Sequence, residues 1–149
     1  GRLYYMFTRG DACFVVLDCG EDKPDSDIEY SGITDMDAYR TEQAEWLKEA
    51  VQTEAFKKAK YKIAISHIPP TDGWHGNVEI KKKWVPVLNE AGLHVFIAAH
   101  EHRHRMQKAD EAIRFPVIIN SNNNIIRASI SEKEARFRIF DAAGKLVTN

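Results

Sequence analysis

Two histidine-bearing segments carry the residue types best suited to metal chemistry. The tract 93–104 is an apolar run that ends in His100 and His102, alternating with charged residues. A second apolar run, over 61–66, ends at His67. Neutral imidazole is the commonest metal ligand in proteins, since one ring nitrogen binds the metal while the other bonds a neighbouring acceptor. Three imidazoles at the ends of two strands predict a metal or phosphate site.

The apolar runs before these histidines predict the strands that position them. Open α/β sheets bind ligands at the carboxyl ends of parallel strands, where His67 and His100 are expected. Residues two apart on an extended backbone point to the same side, so His100 and His102 are expected to aim at one point. For His67 alone, a structural hydrogen bond to the following loop is an equal alternative. For His100 and His102 together, a functional site is favoured.

The other histidines are interpreted differently. His75 follows His67 in the next loop, where a structural role and a substrate contact carry equal weight. His104 lies one step beyond the histidine pair and is expected next to the site or in solvent. With His75 it is the candidate for substrate binding. His94, at the start of its strand, is expected at the opposite edge of the sheet.

Hydrophobic periodicity and turn residues predict the surrounding elements in the order hairpin, helix, strand, helix, strand and antiparallel meander. Thr predicts the start of a helix as its N-cap, Pro predicts a kink or restart, and Gly predicts an end. The predicted bounds are a hairpin over 3–8 and 12–18, a polar loop over 21–37, a helix over 41–58 with Thr41 as its N-cap, a strand over 61–66, a helix over 78–90 that Pro86 kinks or restarts and Gly92 ends, a strand that ends at His100, and meander strands over 113–119, 125–131 and 135–140.

Length and composition are those of a soluble globular domain. The 149 residues carry 44% hydrophobic and 29% charged residues and a net charge of -1, so no strong positive field attracts nucleic acid or a membrane. No stretch approaches the roughly 18 apolar residues that a membrane span needs. Cys13 and Cys19 form no CxxC motif and are expected in the core. Localisation is not indicated.

Three other histidine or hydrolase chemistries do not fit. A histidine triad of nucleotide transferases alternates with apolar residues, whereas Glu101 and Arg103 are charged. A metal-dependent amidohydrolase barrel needs about 250 residues. A serine hydrolase needs a Gly-x-Ser-x-Gly elbow, which does not occur in the sequence.

The histidine segments resemble the last two signature blocks of the calcineurin-like metallophosphoesterases. Those blocks are a histidine after one strand and Gly-His-x-His after the next, and the matching residues are Ser66-His67-Ile68-Pro69 and Ala99-His100-Glu101-His102. The flanking hairpin and the Gln43–Leu47 helix agree, so the resemblance covers about Tyr4 to Val147. Ala99 stands where the family usually has glycine.

The resemblance implies a ligand set and a reaction. His67 and His100 become ligands of one metal and His102 a ligand of the other, in a centre of two divalent ions such as Mn, Fe or Zn that acts on phosphate esters. The family's Asp-x-His, Gly-Asp-x-x-Asp and Gly-Asn-His-Asp/Glu blocks do not occur in this sequence. They supply the bridging carboxylate and the histidine that protonates the leaving group. Asp18, at a strand end, is a minor candidate for a metal contact.

The resulting expectation is a single partial domain over 1–149. Its fold class is α/β, the C-terminal half of a four-layer α/β/β/α metallophosphoesterase sandwich with a mixed sheet, two main helices and a C-terminal antiparallel meander. No catalytic residue is assigned, the chain alone is expected to bind one metal or none, and it is expected to be inactive. Its exposed sheet predicts self-association. The alternative is a non-catalytic, His-rich domain that binds a metal or a protein partner.

Overall fold

The computed structural model describes residues 2–147, so Gly1, Thr148 and Asn149 at the ends of the expected domain lie outside the described residues. Within them the chain forms eight strands and four α-helices. The strands are β1 (Tyr5–Arg9), β2 (Ala12–Val16), β3 (Tyr61–Ile65), β4 (Val95–Ala98), β5 (Arg105–Gln107), β6 (Val117–Ile119), β7 (Ile125–Ile130) and β8 (Ala135–Phe140). The helices are α1 (Met36–Ala50), α2 (Glu54–Lys58), α3 (His75–Lys83) and α4 (Val85–Glu90), with a short 3-10 turn at Ile28–Tyr30.

A six-stranded mixed sheet organises the structure. Its strand order is β1-β2-β3-β4-β6-β5, and β7 pairs with β8 in a separate two-stranded sheet. The four central strands are parallel, whereas β1 and β5 close the two edges in antiparallel pairing. The expected α/β class and mixed sheet are confirmed.

The two faces of this sheet bury different clusters because successive strand residues point to opposite sides. On β2, Cys13 and Val15 join the larger cluster with helix residues such as Leu47 and Trp84. Ala12 and Phe14 join the smaller cluster, which includes Ile139 of β8. The helices therefore cover one face and the β7–β8 hairpin packs on the other. Both cysteines lie in the core as expected, with Cys13 0% and Cys19 3% exposed.

The helix predicted over 41–58 was wrong in its bounds. It begins earlier, at Met36, and the predicted cap Thr41 lies inside it, where its hydroxyl donates to the Asp37 carbonyl. It also ends at Ala50, and a new helix starts after Thr53, whose side chain accepts a hydrogen bond from the Phe56 amide. Thr53 is therefore the residue in this segment that provides a side-chain N-cap.

The second helix and the C-terminal strands also differ in detail. The helix predicted over 78–90 starts earlier, at His75, and is restarted near Pro86 as predicted, which gives the two helices α3 and α4. Pro86 lies in the first turn of α4, where a missing amide hydrogen costs no bond. Gly92, with φ of 68°, follows α4 as predicted. The continuous meander was wrong. The strand over 113–119 is only β6, which pairs with β4 and β5 in the main sheet, while β7 and β8 form their own hairpin. Strand β5 was not predicted.

Part of the sheet face opposite the helices is open to solvent at its β1 edge. Tyr5 and Phe7 are 52% and 42% exposed, and the Phe7 ring stacks on Phe14 with centroids 4.9 Å apart. Self-association through this face stays a prediction.

The amino end of α1 is capped by a residue that lies well before it in the sequence. The carboxylate of Asp25 accepts hydrogen bonds from the Met36 and Asp37 amides at 2.7 and 3.0 Å, while Asp35 at the cap position makes no side-chain cap bond. The Asp37 amide bond, together with that from Met36, holds the pKa of Asp25 below its usual value. The polar loop over 21–37 is thus tied to the helix.

We expect Asp25→Ala to lower the free energy of unfolding by about 1 kcal/mol at pH 7, as for other lost caps. Because the folded pKa is lowered, this stabilisation is fully present above the unfolded pKa of about 3.9 and is lost as the pH falls through the folded pKa. Urea denaturation at pH 7 and at pH 3 measures the closing gap between variant and wild type. Asp35→Ala at the same helix end is the control, and an equal loss in both variants would contradict the assignment.

Candidate functional site

The carboxyl ends of β3 and β4 bring two of the predicted histidines together. The strands are parallel and adjacent, with Ile65 paired to Ile97. One step beyond the ladder, the His67 carbonyl accepts a hydrogen bond from the Ala99 amide at 2.9 Å. Since the segments after β3 and β4 leave the sheet at the same level, the backbones of His67 and His100 lie next to each other.

The two imidazoles approach through one nitrogen each. His67 Nε2 lies 3.4 Å from His100 Nδ1, and the rings meet edge to face with an interplanar angle of 83°. Two nitrogen ligands of a tetrahedral ion, each bonded at about 2.0–2.1 Å, are separated by about 3.4 Å. The spacing therefore fits two ligands of one ion. Without an ion, the same contact requires a proton on one of the two nitrogens.

The backbone at the second strand end is strained rather than extended. The Glu101 amide donates to the Ala99 carbonyl at 2.8 Å, which makes a γ-turn centred on His100 with φ of 66°. Such a turn is rare, and a non-glycine residue in this region costs about 1–3 kcal/mol. His102 is also left-handed, with φ of 54°. The expectation that an extended backbone aims His100 and His102 at one point was therefore wrong.

Ala99 causes no difficulty in this turn. Its φ is negative, so an alanine can occupy the position where the family usually has glycine. The left-handed conformations lie on the histidines that follow it.

Burial and neighbouring histidines favour the neutral form of His67. Burial contributes most to lowering its pKa, and the charges of His100 and then His102 lower it further. Neutral imidazole is the form that binds a metal.

The other histidines lie in different surroundings. His102 is exposed but close enough for its charge to act on His67, and His104 is half-buried. His75 is the first residue of α3, and its Nε2 lies 2.9 Å from both carboxylate oxygens of Asp37. His94 is at the opposite edge of the sheet, where Nδ1 accepts from the Lys62 amide at 3.1 Å.

An acidic loop that sequence reasoning did not assign to the site approaches the histidine pair. Asp22 Oδ2 lies 3.4 Å from His100 Nε2, the nitrogen that faces away from His67. Metal-binding histidines commonly present their second nitrogen to a carboxylate, which sets the tautomer and the ring orientation. No local signal marks Asp22, because it lies 78 positions before His100 in a polar loop.

Two buried polar residues of α1 hold this loop. The Arg40 side chain is 0% exposed, and its guanidinium donates to the carbonyls of Cys19 and Glu21 and to Asp37. Gln43, also 0% exposed, bonds both the amide and the carbonyl of Asp18. The loop is therefore anchored to α1 over the residues that lead to Asp22.

The Asp18 side chain also helps to hold the acidic loop against α1. Its carboxylate accepts from the Gly20 amide at 3.2 Å and from the Tyr39 hydroxyl at 3.1 Å. Burial and the neighbouring Asp18 charge raise the pKa of Tyr39 to about 12, so its hydroxyl keeps the proton it donates. These bonds give the Asp18 side chain a structural role.

A close backbone contact sets the position of Asp22. The Gly76 amide donates to the Asp22 carbonyl at 2.8 Å. A Cβ atom at Gly76 would lie only 3.0 Å from the Asp22 Cα, so this approach needs glycine. The first turn of α3 and the acidic loop therefore meet directly beside His100.

The residues brought together form part of a ligand set rather than a complete one. Across residues 2–147, no group of three or more His, Cys, Asp or Glu side chains has the arrangement needed to hold a metal ion. The two histidine nitrogens fit one ion, and further donors are needed to close the site. Over the same residues, no helix combines the length and apolar character that crossing a membrane requires.

The fold is thus an α/β sheet with His67 and His100 at its carboxyl edge. The sequence profile of the calcineurin-like phosphoesterases matches residues 4–104, more than half of the chain. The chain belongs to the calcineurin-like phosphoesterase family. The expected family is confirmed.

Structural comparison with a purple acid phosphatase agrees on the fold. A purple acid phosphatase from seeds of yellow lupin (Lupinus luteus) superposes with a TM-score of 0.65 at 9% identity, over 97% of this chain and 31% of the lupin chain. GAP50, described as the anchor in the inner membrane complex of Plasmodium, gives a TM-score of 0.49 at 15% identity, over 91% of this chain and 44% of its own. The chain thus spans less than half of either protein. A search of curated protein sequences gave no match.

We expect Arg40→Met to loosen the acidic loop. The change leaves the Cys19 and Glu21 carbonyls without their buried donor, at a cost of about 1–3 kcal/mol for each group that stays unpaired. Hydrogen exchange of the amides over 19–25 should become faster, and the free energy of unfolding should fall. Lys48→Met, an exposed position on the same helix, is the control. Equal exchange in the two variants would refute the anchoring role.

Proposed function

We propose that this chain forms one side of a dinuclear metal centre that hydrolyses phosphate esters. The observation that carries the proposal is the 3.4 Å contact between His67 Nε2 and His100 Nδ1 at the ends of adjacent parallel strands. Membership of the calcineurin-like phosphoesterase family supports the reaction class.

In this proposal each histidine has a separate task. His67 and His100 hold one divalent ion such as Mn, Fe or Zn, and His102 is a ligand of the second. A bound pair of such ions activates a water molecule and stabilises the charge that develops on the phosphate. Asp22 keeps His100 in the tautomer whose Nδ1 lone pair is free. His75 and His104 contact the substrate.

The proposal also requires groups that this sequence does not contain. The carboxylate that bridges the ions and the histidine that protonates the leaving group are assigned to a segment with the Asp-x-His, Gly-Asp-x-x-Asp and Gly-Asn-His-Asp/Glu blocks. Residues 1–149 are then one part of the catalytic domain. Phosphate monoesters and diesters are both compatible with this assignment.

Removal of either central histidine should weaken metal binding. We expect His67→Ala and His100→Gly to weaken Mn²⁺ or Zn²⁺ binding by at least about tenfold, as for other altered metal sites. Isothermal titration calorimetry measures the affinity. Glycine is chosen at position 100 because it accepts the left-handed backbone, so His100→Gly should retain or increase the free energy of unfolding.

The control for these variants is His94→Asn, which changes a histidine at the other edge of the sheet. We expect unchanged metal affinity in this variant. The ligand assignment would be wrong if His67→Ala and His100→Gly bound metal as tightly as the wild type.

The isolated chain should not hydrolyse phosphate esters. Two histidines on one ion and one on the other do not fix a pair of ions, and no carboxylate bridges them in the proposed set. An assay with a chromogenic phosphodiester and phosphomonoester in Mn²⁺ should match the rate of a His67→Ala control. Turnover above that control would contradict the need for a second segment.

A further inference from the structure

A cleft beside the histidine pair has the walls of a binding site. It has a volume of about 490 Å³, which lies within the roughly 300–1,000 Å³ of small-molecule sites. Asp72, Gly73 and Trp74 form one wall, and Glu101 and Arg103 form the other. His100 lines the same cleft, so a molecule bound there lies next to the proposed metal ligand.

The most unusual wall residue is an exposed tryptophan. Trp74 is 60% exposed, whereas Trp84 is 0% exposed and Trp46 packs on the Tyr4 ring at 5.0 Å. Gly73, with φ of 144°, lies in a backbone region that disfavours other residues, and it places Trp74 immediately before α3. An aromatic face left in solvent beside a cleft is suited to stacking on another planar ring.

An unpaired buried acceptor lies behind this wall. Asn77 is 3% exposed, and its amide nitrogen donates to the Pro69 carbonyl and to the Thr71 hydroxyl. Its Oδ1 atom is buried and has no hydrogen-bond partner among the described residues. Buried acceptors of this kind are normally paired, so Oδ1 marks a place for a donor from water or a ligand. The nearest Cβ position of Gly73 lies 3.8 Å away, so the glycine leaves the approach uncrowded.

The charges in the cleft do not repel an anionic molecule strongly. Glu101 is paired with Arg105 at 2.5 Å and with Arg103 at 3.2 Å, and Asp72 is paired with Lys81 at 2.7 Å. The Arg103 side chain is 72% exposed, so its planar guanidinium remains open to a ligand. Arginine and tryptophan are both side chains on which nucleobases and other planar rings stack.

We propose that this cleft binds the planar aromatic leaving group of a phosphate ester, such as a nucleoside or an aryl alcohol, through stacking on Trp74. The inference rests on the proposed function for the phosphate end, whereas the ring end is independent of any metal. Trp74 carries the ring, Arg103 borders it, and Asn77 Oδ1 accepts a hydrogen bond from an amino group of the ring or from a bridging water. The ester would then be selected by its leaving group.

Tryptophan fluorescence tests the ring site directly. In a Trp46→Phe background the two remaining tryptophans are exposed Trp74 and buried Trp84, so quenching by a ligand reports on Trp74. We expect adenosine and AMP to quench the emission, with or without Mn²⁺. Ribose 5-phosphate, which has no planar ring, should not. Phenyl phosphate distinguishes the two ligand sources, since equal affinity indicates any aryl ring and stronger AMP binding indicates a nucleobase.

Affinity is then measured without the fluorescent reporter. Loss of a stacking partner costs about 1–3 kcal/mol per base, so Trp74→Leu should weaken AMP binding in equilibrium dialysis by roughly 5- to 150-fold. Binding of ribose 5-phosphate should not change. Trp46→Phe is the matched control and should bind AMP like the wild type.

The outcomes separate this inference from the proposed function. Adenosine quenching that survives His67→Ala, in a variant that has lost its metal affinity, supports the ring site by itself. The same quenching in a wild-type chain that binds no metal would support the ring site and contradict the prediction that His67 and His100 hold an ion in this chain. The inference is overturned if AMP binds no more tightly than ribose 5-phosphate, or if Trp74→Leu leaves AMP affinity unchanged.

Discussion

The parallel pairing of β3 with β4 is the constraint on which the candidate site depends. The ladder from Ile63 and Val95 to Ile65 and Ile97 sets the register, and the bond between the His67 carbonyl and the Ala99 amide extends it by one step. A slip of one residue would turn each side chain to the other face of the sheet. The histidine contact is therefore held by the core, since the strands that set it carry fully buried residues such as Ala64 and Phe96.

The acidic loop depends on a different kind of interaction. Arg40 is a buried cation, and such a group is tolerated only when its donors are satisfied. Its bonds to the Cys19 and Glu21 carbonyls and to Asp37 meet this condition and tie a loop without regular structure to α1. Asp22 then lies where the loop, the first turn of α3 and His100 meet. The site is built by polar contacts between the acidic loop and α1, placed beside the pairing of two buried strands.

This difference explains what the sequence could and could not reveal. The strands before His67 and His100 are continuous apolar runs, so their ends and their common edge could be predicted from local pattern. The start of α1 could not, because its cap is the carboxylate of Asp25, 11 residues before Met36. Asp22 was missed because no local pattern marks it, and its contact with His100 forms only in the folded chain. Strand β5 was missed because its three residues, Arg105–Gln107, are too few to show a strand pattern, and they pair only with β6.

The strain at His100 connects the fold to the proposed chemistry. A left-handed, non-glycine residue at the centre of a γ-turn costs about 1–3 kcal/mol, and glycine at that position would remove the cost. The turn is nevertheless held by the Ala99 carbonyl on one side and the strand ladder on the other. Its effect is to point His100 Nδ1 at His67 while Nε2 faces Asp22. In the proposed centre, His67 and His100 would hold an ion without further reorientation of the His100 ring, because the turn already orients it. Strain at His100 lowers the stability of the fold, but it leaves the two imidazoles already oriented as a pair of donors. A rigid sheet edge can hold such a pre-oriented pair.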